Sequence, residues 1–300
     1  MRMRSGLIAL VLGVSLVACG DGGDPSPSPT VTPGPTQTPA PTPVPVLCNG
    51  GSQLCDRAYD EVAYATTHNA YSNATDGFIG PNQEFAVPRQ LSDGIRGLML
   101  DAYILDGEVV QYHGLPDLGT YPLVTTLNEI REFMEANPRE VVTLIFESYV
   151  DGDEIAGVFE EAGLVDLAHS QSTDAPWPTL GEMIEDGKRL VVFTDLDGGA
   201  RDWYLPVWDF AFETNYSFAE PEDLSCDPNR GNPENSLFIL NHFLTQTFGS
   251  EELAEQVNFN PLLEDRIEEC ALRNDRLPNF VTVDFYNIGD TLADVAALNE

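Results

Sequence analysis

The stretch VVTLIFESY, residues 141–149, carries the reading of the fold. Its first six residues are apolar or β-branched without a break, and the run stops at Glu147. A continuous apolar run of this length suits a strand buried on both faces, as in a parallel sheet covered by helices. Runs of the same kind stand at 62–65, 97–100, 109–112, 190–193, 208–212, 237–240 and 280–283, which makes eight with the first. Between them lie stretches with helical spacing, at 122–136, 154–162, 179–186, 250–257 and 262–272. In the first of these, Leu123, Leu127, Ile130 and Met134 fall on one face and Asn137-Pro138 ends the run. Only eight residues separate the second and third runs, too few for a helix. The pattern predicts a single, irregular (β/α)8 barrel of the TIM type over residues 47–300, a common size for that fold.

The first 46 residues read differently. Residues 1–18 hold Arg2 and Arg4, then an apolar run too short to span a bilayer, and end Leu16-Val17-Ala18 before Cys19. That pattern predicts a bacterial lipoprotein signal peptide with Cys19 as the lipidated residue. Residues 19–46, rich in Pro, Ser and Thr, cannot form a core and predict a disordered tether. The expected location is therefore the cell envelope, lipid-anchored, or the medium after secretion. Cys48, Cys55, Cys226 and Cys270 remain, an even number in an exported chain, and local order favours the pairs Cys48–Cys55 and Cys226–Cys270.

The chain carries 14 basic and 49 acidic residues, a net charge of −35, and Lys188 is its one lysine. Nucleic-acid binding through a basic face is excluded, and approach to anionic membranes is opposed. A monomer is expected.

Polar residues end the apolar runs: His68-Asn69, Asp101, His113, Glu147, Asp195, Glu213, Asn241-His242 and Asp284. Barrel enzymes gather their catalytic groups at the C-terminal ends of the strands, so these side chains should converge. Two histidines there could serve as base and acid near neutral pH. Arg96 starts its strand and should point away from the mouth. Hard oxygen donors at these strand ends suit Ca²⁺ or Mg²⁺. His169 reads as solvated surface and His242 as structural.

The stretches ATTHNAYS (65–72), QLSDGIRGLMLDAY (90–103), VVQYHG (109–114), VVTLIFESY (141–149) and NFVTVDFYNIGD (279–290) together resemble the X domain of phosphatidylinositol-specific phospholipase C and its wider phosphodiesterase superfamily, as found in secreted bacterial members. The resemblance covers nearly all of residues 56–290. It implies that His68 and His113 are the catalytic histidines, that Asp284 orients the first of them, and that Asn69, Asp101 and Glu147 ligate calcium. Met99 stands where calcium-dependent members carry an acid, and Asp101 stands where metal-free bacterial members carry an arginine, so neither arrangement is complete. The implied activity is phospholipase C cleavage of a phospholipid such as phosphatidylinositol. The alternatives are a glycerophosphodiester or sphingolipid phosphodiesterase of the same fold, or a non-catalytic surface binding module.

Overall fold

The computed structural model describes residues 46–246 and 248–300. The leader, Cys19 and the tether to residue 45 lie outside the described residues. Strand β1 is Tyr64–Thr67, followed by α1 (Val87–Asp93), β2 (Gly97–Leu105), β3 (Glu108–Gln111), β4 (Tyr121–Pro122), α2 (Leu123–Ala136) and β5 (Val142–Ser148). Next come α3 (Gly152–Ala162), α4 (Leu180–Glu185), β6 (Leu190–Thr194), β7 (Tyr204–Pro206), α5 (Val207–Phe210) and β8 (Ala211–Thr214). The chain ends with β9 (Pro228–Gly231), β10 (Leu237–Asn241), α6 (Glu251–Val257), α7 (Leu262–Asn274), β11 (Phe280–Val283) and α8 (Thr291–Leu298).

Eight strands run parallel in the order β7-β6-β5-β2-β1-β11-β10-β8, and the sheet curls into an open (β/α)8 barrel. No strand pairing closes β7 onto β8 among the described residues; one helical turn, α5, bridges them. At β1–β2, Gly97 lies opposite Thr66. A side chain at 97 would occupy the space of the Thr66 hydroxyl, so only glycine lets the two strands approach there.

Strand alternation explains both the core and the site. In β5, Val142, Leu144 and Phe146 face outward into a cluster with Leu127, Ile130, Met134 and Phe159 of α2 and α3. Ile145 faces the barrel interior with Tyr64, Phe193, Ile239 and Phe280. Glu147 shares the parity of Ile145, as Asp101 shares that of Met99, Asp195 that of Phe193, and Asn241 that of Ile239. The inward rows thus change from apolar to polar one residue past the core, at the C-terminal mouth.

Two sequence expectations are corrected. The run at 109–112 is no barrel strand: β3 folds back antiparallel on β2 through Asp106-Gly107, both with positive φ. The eighth barrel strand is instead β7, three residues that end at a proline. The run at 208–212 divides into the end of α5 and the start of β8. Both expected disulfides are present, Cys48–Cys55 and Cys226–Cys270. Thr179 caps α4, accepting from Glu182 N at 3.2 Å in a capping box. No described helix is long and apolar enough to cross a membrane.

Candidate active site

His68 leaves β1 at the mouth, its backbone N–H bonded to Val283 O at 3.0 Å, which aligns it beside Asp284 at the end of β11. The His68 Nδ1 and Asp284 Oδ1 atoms are 2.9 Å apart, and the carboxylate is nearly buried. A proton on Nδ1 donates to this carboxylate and leaves Nε2 free to accept. The imidazole lies flat on Phe243 at 4.0 Å, with 6° between the rings. Burial works against the imidazolium, but the Asp284 charge and hydrogen bond, with Asp101 and Glu147 beyond, outweigh it and raise the pKa above the ordinary histidine value.

The turn after β1 and β11 is strained at matching places. Asn69 follows His68 with φ 46°, and Phe285 follows Asp284 with φ 46°. Asparagine tolerates that region; phenylalanine there is an outlier of the kind that clusters at functional sites. Asn82 and Gln83 hold the pair of turns together. Asn82 Nδ2 reaches both Asp284 oxygens at 3.2 Å, and the Phe285 N–H donates to Asn82 O at 2.8 Å. Gln83 Nε2 donates to His68 O and Val283 O at 2.9 and 3.0 Å. The polar run 81–84 reads as a turn in sequence and gives no sign of this role.

His113 comes from outside the barrel, on the loop after β3. Tyr112 beside it stacks on Tyr103 at 4.0 Å, and Tyr103 stacks on Tyr149 at 4.6 Å. That three-ring stack docks the hairpin on the ends of β2 and β5. His113 is half-buried; burial, and then the proximity of His68, lower its pKa. His68 and His113 line one outer lobe of about 340 Å³ with Asn69, Asp101, Glu147 and Asp284. An inner lobe of about 80 Å³ continues towards Met99, Asp195, Glu213, Asn241 and Arg230, and shares His68, Asn69, Asp101 and Glu147 with the outer one.

Asp101 and Glu147 are register partners on β2 and β5. Burial, and then the Glu147 charge, push the Asp101 carboxyl up to about 7, against the lowering effect of Tyr71. Glu147 accepts from Tyr149 Oη at 2.5 Å. The Asn69 amide nitrogen is spent on Asn82 Oδ1 at 3.3 Å, so its oxygen is the atom that could meet a cation. Neither carboxylate has a basic partner among the described salt bridges. Two carboxylates and an amide oxygen form a hard donor set of the kind Ca²⁺ and Mg²⁺ take. Among the described residues no group of three or more His, Cys, Asp or Glu is arranged for a metal ion. A cation held here would need water or substrate oxygens to complete its shell.

The other sequence candidates separate from the site. His242 is fully buried, bonded to Val257 O at 2.8 Å and to Arg266 at 3.1 Å. His169, read as solvated, is half-buried and bonds Gln171 while facing Trp177. Arg96 binds Glu140 and the carbonyls of Leu91 and Ile95, away from the cleft. Arg230, which the sequence did not single out, lines the inner lobe.

An open (β/α)8 barrel with two histidines, a histidine-bound aspartate and an acidic floor at one mouth defines the class. The chain belongs to the PI-PLC X family, whose description PI-PLC X 1 matches residues 54–299. It is 30% identical over 262 residues to the PI-PLC X domain-containing protein At5g67130 of Arabidopsis thaliana, covering 77% of this chain and 59% of the relative. An uncharacterized secreted protein of the fungus Arthroderma benhamiae is 29% identical over 277 residues, covering 83% and 62%. The chain thus spans about three fifths of the length of these two relatives. A third, the PI-PLC X domain-containing protein 1 of the same fungus, is 29% identical and covered to 90%. These relatives are eukaryotic, in contrast to the bacterial members expected from sequence. The fold matches the phosphatidylinositol-specific phospholipase C of Listeria monocytogenes with a TM-score of 0.58 at 16% identity, over 82% of this chain and 96% of that one. A Staphylococcus aureus phosphatidylinositol-specific phospholipase C matches at 0.57, also 16% identical, over 83% and 96%.

Proposed function

We propose that the chain is a phosphoric diester hydrolase of the phospholipase C type, acting on a phospholipid with an inositol-like headgroup. The observation that carries this reading is the pairing of His68 with Asp284 in the same cleft as His113. With Nδ1 bonded to Asp284, His68 presents Nε2 as a base. It would take the proton of the headgroup 2-hydroxyl, whose oxygen forms a bond to phosphorus. The bond from phosphorus to the diacylglycerol oxygen breaks, and His113 gives that oxygen a proton. A raised pKa at His68 makes a stronger base, and a lowered one at His113 a stronger acid. Asn69, Asp101 and Glu147 would hold the divalent cation. Such an ion supplies positive charge beside the phosphoryl oxygens.

Asp284→Asn tests the pairing. Removing the carboxylate charge lowers the His68 pKa. Activity that needs neutral His68 rises with pH through that pKa, so the acid limb of kcat/KM moves to lower pH in the variant. The rate above the limb falls about tenfold or more, because Asn no longer fixes the tautomer. An unmoved acid limb on phosphatidylinositol vesicles contradicts the role given to Asp284.

A further inference from the structure

Arg230 is the one arginine or lysine among the described residues that line the cleft. It arrives on β9, an antiparallel strand added to the edge of β8 beyond the eight barrel strands. Gly231 beside it has φ 79° and packs so closely on Ala211 O that a side chain there would collide with it. Behind the strand, the loop 224–227 is fixed to α7 by Cys226–Cys270 and by Arg266 Nη2 on Ser225 O at 3.0 Å.

The guanidinium is held on three sides. Its Nε donates to Glu213 Oε1 at 2.5 Å. Its Cζ lies over the Trp208 ring at 4.5 Å from the centroid and over the Tyr216 ring at 4.6 Å. Glu213 is almost fully buried, and two further N–H donors, Asn229 Nδ2 at 3.2 Å and Asn241 Nδ2 at 3.0 Å, occupy it. No protein acceptor among the described residues takes the two terminal amino groups of Arg230, and its side chain is 38% exposed. A guanidinium fixed at Nε and packed against two rings presents its remaining N–H groups as a preorganised fork, the geometry that pairs with oxyanions. The surrounding carboxylates, Asp101, Glu147 and Asp195, would otherwise repel an anionic substrate from this lobe.

We infer that the terminal amino groups of Arg230 form an oxyanion-receiving subsite, which binds a phosphate group of the substrate in the inner lobe that Arg230 shares with His68. Glu213, Trp208 and Tyr216 are its positioning residues. Two sources have this chemistry: the scissile phosphodiester, or a second phosphate on the headgroup. The inference rests on the phosphodiesterase reading for its substrate, but the subsite is measurable without turnover.

The experiment compares wild type, Arg230→Gln and Arg230→Lys, first for binding of inorganic phosphate by calorimetry at fixed pH. Arg230→Gln leaves buried Glu213 uncompensated, so Arg230→Gln/Glu213→Gln serves as a charge-neutral second variant. Both variants that replace Arg230 by Gln are expected to weaken phosphate binding about tenfold or more, with Arg230→Lys between them and wild type. Kinetics on a singly anionic phosphodiester lipid, and on the same lipid with an added headgroup phosphate, then locate the oxyanion. Loss on both substrates assigns Arg230 to the scissile group; loss confined to the second assigns it to the headgroup phosphate. A wild type that binds phosphate no more tightly than Arg230→Gln and its charge-neutral partner overturns the inference, whether or not substrate is turned over. Phosphate binding through Arg230 without turnover of any phosphodiester sinks the activity reading and leaves the subsite standing.

Discussion

His68→Ala and His113→Ala are each expected to lower turnover of a phospholipid substrate by about a hundredfold or more, the usual contribution of a positioned acid or base. The two variants should differ in stability. His68 packs flat on Phe243 and bonds Asp284, so its removal opens a space beside a nearly buried carboxylate. His113 sits half-buried on a loop and leaves the barrel untouched. Thermal unfolding therefore separates lost chemistry from lost fold: His113→Ala melts like wild type, while His68→Ala melts lower. The double variant should lose less than the product of the single losses, because acid and base act in one transfer. A single variant that keeps near-wild-type turnover on a substrate the wild type cleaves cannot lack the acid or the base.

The second large effect concerns the cation. A chelator in excess is expected to abolish activity, and added Ca²⁺ to restore it at high micromolar to millimolar concentration, about the range of low-affinity extracellular calcium sites. The loose binding expected here would follow from the donor set. Met99 contributes no charge where a third acid would stand, and Asp101 and Glu147 supply the two carboxylates. Asp101→Asn leaves one carboxylate beside the Asn69 oxygen, so the half-activating Ca²⁺ concentration should rise, about tenfold, with little change in the melting temperature without metal. The small stability effect has a physical cause: buried Asp101 lies beside Glu147 without a basic partner. Turnover that persists in excess chelator rejects the cation and places the whole burden of phosphate neutralisation on Arg230.

Much of this site can be read from the sequence because barrel strands impose a simple rule. Apolar runs mark the strands, and the polar residue that ends each run lies at the mouth. His68, Asp101, Glu147, Asp195, Glu213, Asn241 and Asp284 all follow from that rule, and the barrel brings them to one cleft. The rule fails where the chain leaves the barrel. Asp106-Gly107 is a two-residue hairpin signal, and it marks the run at 109–112 as an antiparallel arm. His113 still reaches the cleft, but through the tyrosine stack and not through a barrel strand. Tyr204-Leu205-Pro206 is too short to stand out as a strand, and its pairing with β6 is a tertiary fact. Arg230 lies in Pro228-Asn229-Arg230-Gly231, which reads as a turn, and nothing local shows that it crosses β8 into the inner lobe. Asn82 and Gln83 are legible only through partners some 200 residues away.

The most direct measurement is a phosphorus NMR time course on phosphatidylinositol vesicles with Ca²⁺, wild type beside His113→Ala. Attack by the 2-hydroxyl forms a bond from phosphorus to that oxygen as the bond to diacylglycerol breaks. The wild type should therefore release a water-soluble five-membered cyclic phosphodiester, with diacylglycerol left in the lipid, and His113→Ala should release it at least about a hundredfold more slowly. A folded, Ca²⁺-supplied wild type that leaves all phosphorus in the lipid, or releases it at the same rate as His113→Ala, contradicts the assignment of this cleft as a phospholipase C-type active site.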